Sequence, residues 1–476
     1  MAYADLSKKP WIIRAPLQAL LLWTPDGAGH FAKWTNGWAF DPLVTTPIAI
    51  LLFVPFAAYT DPGAVAATFV MLVYISPAAL PVGLFFAFWT AWMRYIRYTF
   101  WFNNPMILLE IQLPPEVEKT PAAMELFLAA LWNTGGETTF IQRIWKGQFR
   151  PVWTLEIVGS EGQVRFYLHL RKAWKNIVEA RLYGQYPEAK IVEAEDYAAK
   201  INFNLDEYEL FGSEYEKGGA VAQALPIRTY VDYGLHMSPD KPEQQVDPIT
   251  NTLELLGSIG KDEHFWLQII IRPRKADEWY GFYLKEDKYR EPAHEEIKKI
   301  TEGAIKRAQA LTDDESEKKK VGTRGAMLLT GGEKLRVESI ERSLTKLIFE
   351  CGFRVVYFAK RTKYNGINAG AIIRFFDAFR YPDYNALGVT RGTTYFDYPW
   401  QDWGNIRKSM EKRNLFNNYR HRAYFYVPLD QKPVFMTTEE LATLWHFPSS
   451  VVKTPALDRV ASRRAEAPQN LPVAPL

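Results

Sequence analysis

The sequence predicts an α+β protein: an N-terminal two-helix transmembrane hairpin followed by duplicated ferredoxin-like (βαββαβ) cytosolic domains. Three observations predict it. Two almost charge-free apolar runs, 43–60 and 64–93, are separated by Asp61-Pro62-Gly63. Strand and helix patterns then follow in the order β-α-β-β-α-β over 105–200, and a similar order recurs over 226–380.

The first run has no charge in eighteen residues and the second has none before Arg94. A helix needs about 20 apolar residues to cross a bilayer core. Asp-Pro-Gly is turn chemistry, so the chain is expected to cross and return. A buried core helix is the competing reading. A cleaved signal peptide fits poorly, because about forty polar-containing residues precede the first run. Lys8, Lys9, Arg14 and Lys33 precede the pair and Arg94 and Arg97 follow it, while the turn carries only Asp61. That asymmetry places the N-terminus and soluble domains in the cytoplasm and the hairpin in the inner (cytoplasmic) membrane as a multi-pass anchor. Residues 1–42 form an N-terminal interfacial segment and 43–102 the hairpin. Trp89, Trp92, Tyr95, Tyr98 and Trp101 are expected at the aromatic belt. Pro77 and Pro81 interrupt the second run, which either kinks and crosses or dips and returns.

In the first α+β domain, 106–113 reads as a strand. Thr120-Pro121 then opens a helix through Trp132, with proline at the first helical position. Strands follow at 152–158 and 164–170, the latter alternating Val164, Phe166, Leu168 and Leu170 with Arg165, Tyr167 and His169. A helix at 172–183, with Trp174, Ile177, Val178 and Leu182 on one stripe, and a strand at 189–194 complete the unit. In the second domain, 226–232 is expected as a strand and Asp247-Pro248 opens a helix to about Ser258. Residues 265–271 read as a buried strand, 336–351 as a helix with Val337, Ile340, Leu344, Leu347, Ile348 and Cys351 on one face, and 353–360 as the closing strand. A charged insertion over about 285–330 contains a helix, Glu291–Ala310, and a polar segment with little to bury. Beyond it lie a helix at 369–379 and a C-terminal region, 381–450. This region ends in Thr437-Thr438-Glu439-Glu440, a capping box that opens a helix. The tail, 451–476, is rich in Ala and Pro.

Composition excludes several classes. The net charge of +3 is too small to announce a nucleic-acid binder by itself, and the one cysteine rules out an intramolecular disulfide. A phosphate-binding P-loop is missing: Gly260-Lys261 is followed by Asp262, with Leu255 where the first glycine belongs, and Gly331-Gly332-Glu333-Lys334 lacks the spacing. His294-Glu295-Glu296 has no second histidine one turn on, so no metal is expected, and no cofactor. Gly257-Ser258-Ile259-Gly260 is not a nucleophile elbow, and Cys351 reads as a core thiol. No catalytic residue is expected.

One segment stands out. Over 400–426, Arg407, Lys408, Lys412, Arg413, Arg420 and Arg422 face only Asp402 and Glu411, and Trp403 and Tyr419 lie among further aromatics. Such a stretch can contact phosphates and stack on bases, or dock on anionic headgroups; a solvated face of a packed element reads the same way.

Several segments taken in order resemble the N-terminal half of large membrane-anchored ATPases of the conjugative type IV secretion class, as encoded in candidate-phyla bacteria. They are Val178–Pro187, Asp247-Pro248 with its Leu-rich helix, Trp266–Pro273, Gly352–Ala359, Phe379–Asn385 and Thr438–Pro448. In that family the last segment leads into a P-loop DNA-translocating domain, whereas this sequence ends at Leu476. The resemblance therefore implies a non-catalytic scaffold of a DNA or protein translocation system, docking a separate P-loop ATPase. Leu441, Leu444, Trp445, His446, Phe447 and Pro448 are the expected docking residues. Membrane lipid, DNA and further copies of the chain are the other partners implied. The alternative is a membrane-tethered nucleic-acid-binding protein using 400–426.

Overall fold

The computed structural model describes residues 42–114, 117, 119–137, 139–218, 223–237, 246–275, 279–280, 283–284, 287, 289–310, 329–393, 402–426 and 431–448. The basic residues before the first apolar run, the polar part of the insertion after 310 and the tail lie outside them.

Two apolar helices come first, α1 (Pro42–Thr60) and α2 (Pro62–Asn103). Only Asp61 separates them. Its carboxylate accepts the Ala64 N–H at 2.8 Å and caps α2, with proline in the first turn. α2 runs 42 residues through Pro77 and Pro81 without a break. Among the described residues one stretch, Val73–Asn103, is long and apolar enough to cross a membrane; Leu51–Thr60 is shorter. Its side chains are not core: Val73, Leu80, Leu84, Phe85 and Phe88 all stay exposed. Leu51, Phe53 and Phe56 of α1 are equally exposed.

The body is mixed α+β around one antiparallel sheet. Its strands are β1 (Met106–Gln112), β2 (Trp153–Ser160), β3 (Gln163–Arg171), β4 (Lys190–Ala194), β5 (Tyr208–Lys217), β6 (Glu263–Pro273), β9 (Ile348–Lys360), β10 (Leu387–Gly392) and β11 (Val434–Thr437). A two-stranded ribbon of β7 (Trp279–Tyr280) and β8 (Tyr283–Leu284) stands apart. The large sheet reads β10-β5-β9-β6-β2-β3-β1-β4, with β11 pairing the start of β9. The first half therefore runs β4-β1-β3-β2 and the second β10-β5-β9-β6, joined where β2 pairs β6.

Helices α3 (Pro121–Ala130), α5 (Lys175–Gln185), α7 (Ile249–Gly257) and α12 (Thr438–Leu444) supply one core with Leu155, Phe166, Leu168, Ile269, Phe349 and Phe353. The opposite face is covered by α6 (Tyr197–Lys200) and α11 (Ile406–Arg420), through Trp266, Phe358, Leu415, Phe416 and Tyr419. A sheet covered on both sides buries alternate residues of both parities. β9 is accordingly buried throughout until Lys360.

Three expectations need correction. Residues 226–232 are not a strand: Thr229 turns the chain by donating its N–H and hydroxyl to Asp232, and the Ile227 and Tyr230 N–H groups donate to Glu440 and Thr443 of α12. Their apolar side chains reflect burial under α12 rather than strand pairing. The strand that opens the second half is β5, whose Glu209, Glu214 and Glu216 disguise it. The helix expected over 336–351 is α9 (Gly331–Leu344), so Ile348 and Cys351 lie on β9, where alternation turns Phe349, Cys351 and Phe353 into the same core. The helix at 369–379 is α10 (Gly366–Ala371) followed by two short 3-10 turns. By contrast α8 (Arg290–Ala310) lies within a residue of expectation, and the Thr437–Glu440 capping box is present in both directions.

Candidate functional site

The distinctive arrangement is where α2 leaves the body. On its last turns Trp92, Met93, Ile96, Arg97, Phe100 and Trp101 recur at helical spacing and turn inward, Ile96 fully. Trp92 Nε1 donates to Ile144 O at 2.9 Å, and its ring meets Trp145 edge-on at 5.7 Å. Phe100 and Trp101 both pack on Phe149, whose ring lies tilted against Tyr426 with centroids 4.6 Å apart. Gly147 makes the approach feasible. Its φ of +61° is left-handed, and a Cβ there would stand 2.4 Å from Ile96 O.

Cations interleave this aromatic collar. Arg171 lies over Phe149 and Phe100, Arg272 over Phe425 and Tyr426, and Arg97 over Tyr426. Tyr426 donates to Glu137, whose other oxygen accepts from Arg150 at 3.0 Å. Burial, reinforced by Glu137, pushes the Tyr426 phenol up to about 12. Burial lowers the Arg171 guanidinium from its ordinary value. The collar is thus a largely buried set of rings interleaved with guanidinium groups, a socket for the end of α2.

The expected aromatic belt divides accordingly. Trp92 and Trp101 belong to the socket, whereas Tyr95 and Tyr98 stay exposed and Trp89 lies near the border.

The basic segment is largely structural. Lys412 is buried against Glu209, and Arg422 against Glu156 at 3.0 Å and Asp196 at 2.6 Å. Tyr419 is fully buried, its hydroxyl 2.8 Å from that of Tyr197. Burial pushes the Tyr419 phenol well up. Arg413 and Arg420 are exposed, Arg407 and Lys408 half-buried, with the last two backbone N–H groups on the Asp402 carboxylate. Trp403 sits in a 3-10 turn before α11. The arrangement presents two exposed cations and no exposed stack of Tyr419, Phe416 and Tyr424.

The expected docking residues are not a surface at all. Leu441, Leu444, Trp445, His446, Phe447 and Pro448 are all buried. α12 is a central core helix: Phe447 packs on Tyr186 and Phe166, and His446 bridges Ala442 O and Asp247, each at 2.9 Å. Glu440 Oε1 pairs Lys217 at 2.8 Å while Oε2 completes the capping box.

No protein-family profile matches this chain, and no curated protein matches it.

One element of the junction was not expected from the sequence, α4 (Phe140–Ile144). Thr139 and Gln142 form a reciprocal capping box at its start, at 3.2 and 3.1 Å, and that Thr-x-x-Gln spacing was its signal.

Proposed function

We propose that this chain is a membrane-anchored, non-catalytic scaffold of a conjugative or type IV secretion-like translocation system. α2 serves as anchor, with α1 returning beside it as a hairpin in the inner membrane. The body faces the cytoplasm and docks a separate P-loop ATPase. In the same reading, the strand orders β4-β1-β3-β2 and β10-β5-β9-β6 are two copies of a ferredoxin-like unit sharing one sheet. The observation that carries the anchoring is the continuity of α2. One helix passes without a linker from exposed apolar residues into an aromatic socket of the body. The secretion context rests on the ordered segments from Val178 to Pro448. Nucleic-acid binding through 400–426 is the weaker reading, because Lys412, Arg422 and Tyr419 are buried in internal pairs.

The test is affinity capture of the full chain from native membranes in a gentle detergent. A P-loop ATPase enriched over an untagged control supports the scaffold. Recovery from membranes with no such ATPase overturns it, and recovery in the soluble fraction overturns the anchor.

A further inference from the structure

Apolar side chains exposed in a folded body ask for a partner when they cluster. α4 carries such a cluster. Phe140, Ile141 and Trp145 are each more than half exposed, and with half-buried Ile144 they stand at i, i+1, i+5 and i+4, one face of a helical turn. The helix is short, yet it is held at both ends: by the Thr139–Gln142 capping box, and by the Trp145 N–H donating to Ile141 O at 3.0 Å.

Its place decides what covers it. Ile144 O accepts from Trp92, and Trp145 lies edge-on to the same ring. Trp92 stands where α2 begins to bury itself in the body: towards the N-terminus, described side chains as far as Phe88 are exposed or nearly so, while beyond it Ile96, Phe100 and Trp101 enter the socket. A bilayer crossed by α2 must end at this rim, and α4 is the piece of body on the rim. The surrounding charge is basic. Lys146 and Arg94 are exposed, and Arg143 is half-buried with its Nε sequestered and unbonded. An apolar face with cations along its border is the composition of an interfacial element on an anionic membrane.

We infer that α4 with Trp145 is a second membrane contact, a wedge that enters the headgroup–acyl boundary beside α2 and fixes the body's orientation on the bilayer. The inference rests on α2 crossing that bilayer, and its occupant is lipid rather than protein.

The test uses the full chain in nanodiscs of phosphatidylcholine and phosphatidylglycerol, with Cys351→Ala as background. Single cysteines at Phe140→Cys, Ile141→Cys and Trp145→Cys carry spin labels, and collision with oxygen and with a water-soluble nickel complex reads their depth. Phe85→Cys reports the span. Ile367→Cys, an exposed apolar site beyond the far end of β9, reports water. Labels on α4 are expected about 5–10 Å below the headgroup surface, with Ile367→Cys outside it. If Phe85→Cys reads lipid and the α4 labels read water, the wedge is wrong and the anchor stands. If Phe85→Cys also reads water, the anchor has failed and takes the wedge with it. Labels on α4 shielded from both reagents mean a protein neighbour or a second copy, which overturns the lipid assignment. Should any one cysteine variant fail to fold, the other two α4 positions carry the same test.

Discussion

Gln268 Nε2 donates to Glu156 Oε1 at 3.0 Å across the β2–β6 pair that joins the two halves of the sheet. The register continues the row: Gln268 stands opposite Arg354, and Arg354 opposite Glu214. Arg354 donates to both neighbours, so four adjacent strands are linked by one buried polar chain. Arg422 and Tyr197 close it from above onto Glu156.

Removing the Glu156 carboxylate at the end of that row leaves buried Arg422 with only the Asp196 carboxylate. Glu156→Leu is expected to cost about 3–5 kcal/mol, the usual penalty for breaking a buried pair on one side. Glu156→Gln, which keeps an acceptor, should cost less. Glu193→Ala, which breaks an exposed pair with Lys175, should leave the midpoint close to that of the parent chain. Urea titrations of the detergent-solubilised chain would rank them, and equal midpoints for the Leu and Gln variants would refute a cost from the lost Arg422 partner.

Gly147→Ala tests the socket. The left-handed backbone and the 2.4 Å approach to Ile96 O leave no room for a methyl. Hydrogen exchange of 92–101 should rise about 5- to 150-fold, for a local loss of about 1–3 kcal/mol. Gly184→Ala, in α5 with open space around it, should gain up to about 1 kcal/mol. Unchanged exchange in the Gly147 variant would mean that α2 seats differently.

The basic segment makes a paired prediction. Lys412→Met removes the partner of Glu209 from a buried site and should lower stability by about 1–3 kcal/mol. Arg413→Ala and Arg420→Ala touch exposed side chains and should change it by about 0.5 kcal/mol or less. Thermal melting distinguishes them; a destabilised Arg413 variant would put that residue in an unrecognised contact.

Acid should weaken the body before its carboxylates titrate. Burial pushes the His264 imidazole down to about 4, with its ring stacked on Phe358 at 4.7 Å. His169 is held well below its ordinary value by burial and by Arg422. Both folded values lie under the unfolded 6.5, so the unfolded chain takes up protons first as pH falls. The stability they contribute is whole above 6.5 and declines below it, by about 1–2 kcal/mol for His264 between pH 6.5 and 5. His264→Gln should flatten that limb of the melting profile. A wild-type slope in the variant would remove His264 as its source.

How much of this was legible depends on the range over which each interaction acts. The Thr437–Glu440 box and Thr120-Pro121 are local and stood where expected. β1, β3 and β4 announced themselves by short-range pattern. Lys412 and Arg422 showed their charge but not their partners, Glu209 and Glu156, some two hundred residues or more away in sequence. Without those partners, an internal ion pair reads as a basic patch. Glu439 and Glu440 misled in the same way. They open a helix expected to dock a partner, but Arg342, Lys346 and Lys217 neutralise them, so α12 sits in the core. β5 was hidden because Glu214 on it answers Arg354 on β9. The aromatic belt was half legible, since a membrane interface and a protein socket both select Trp and Phe.

The unbroken passage of α2 into its socket has a mechanical consequence. The part of α2 outside the socket, Pro62–Trp92, is about 46 Å long at the helical rise, against a hydrocarbon core of about 30 Å. An excess of that kind is relieved by leaning, and a lean of about 20° swings the end of such a rod sideways by about 15 Å. With no hinge between rod and sheet, the body must swing with it. On the anchoring proposed above, bilayer thickness becomes a steering input: a thinner membrane turns the face of the sheet toward one side, and a thicker one stands it upright.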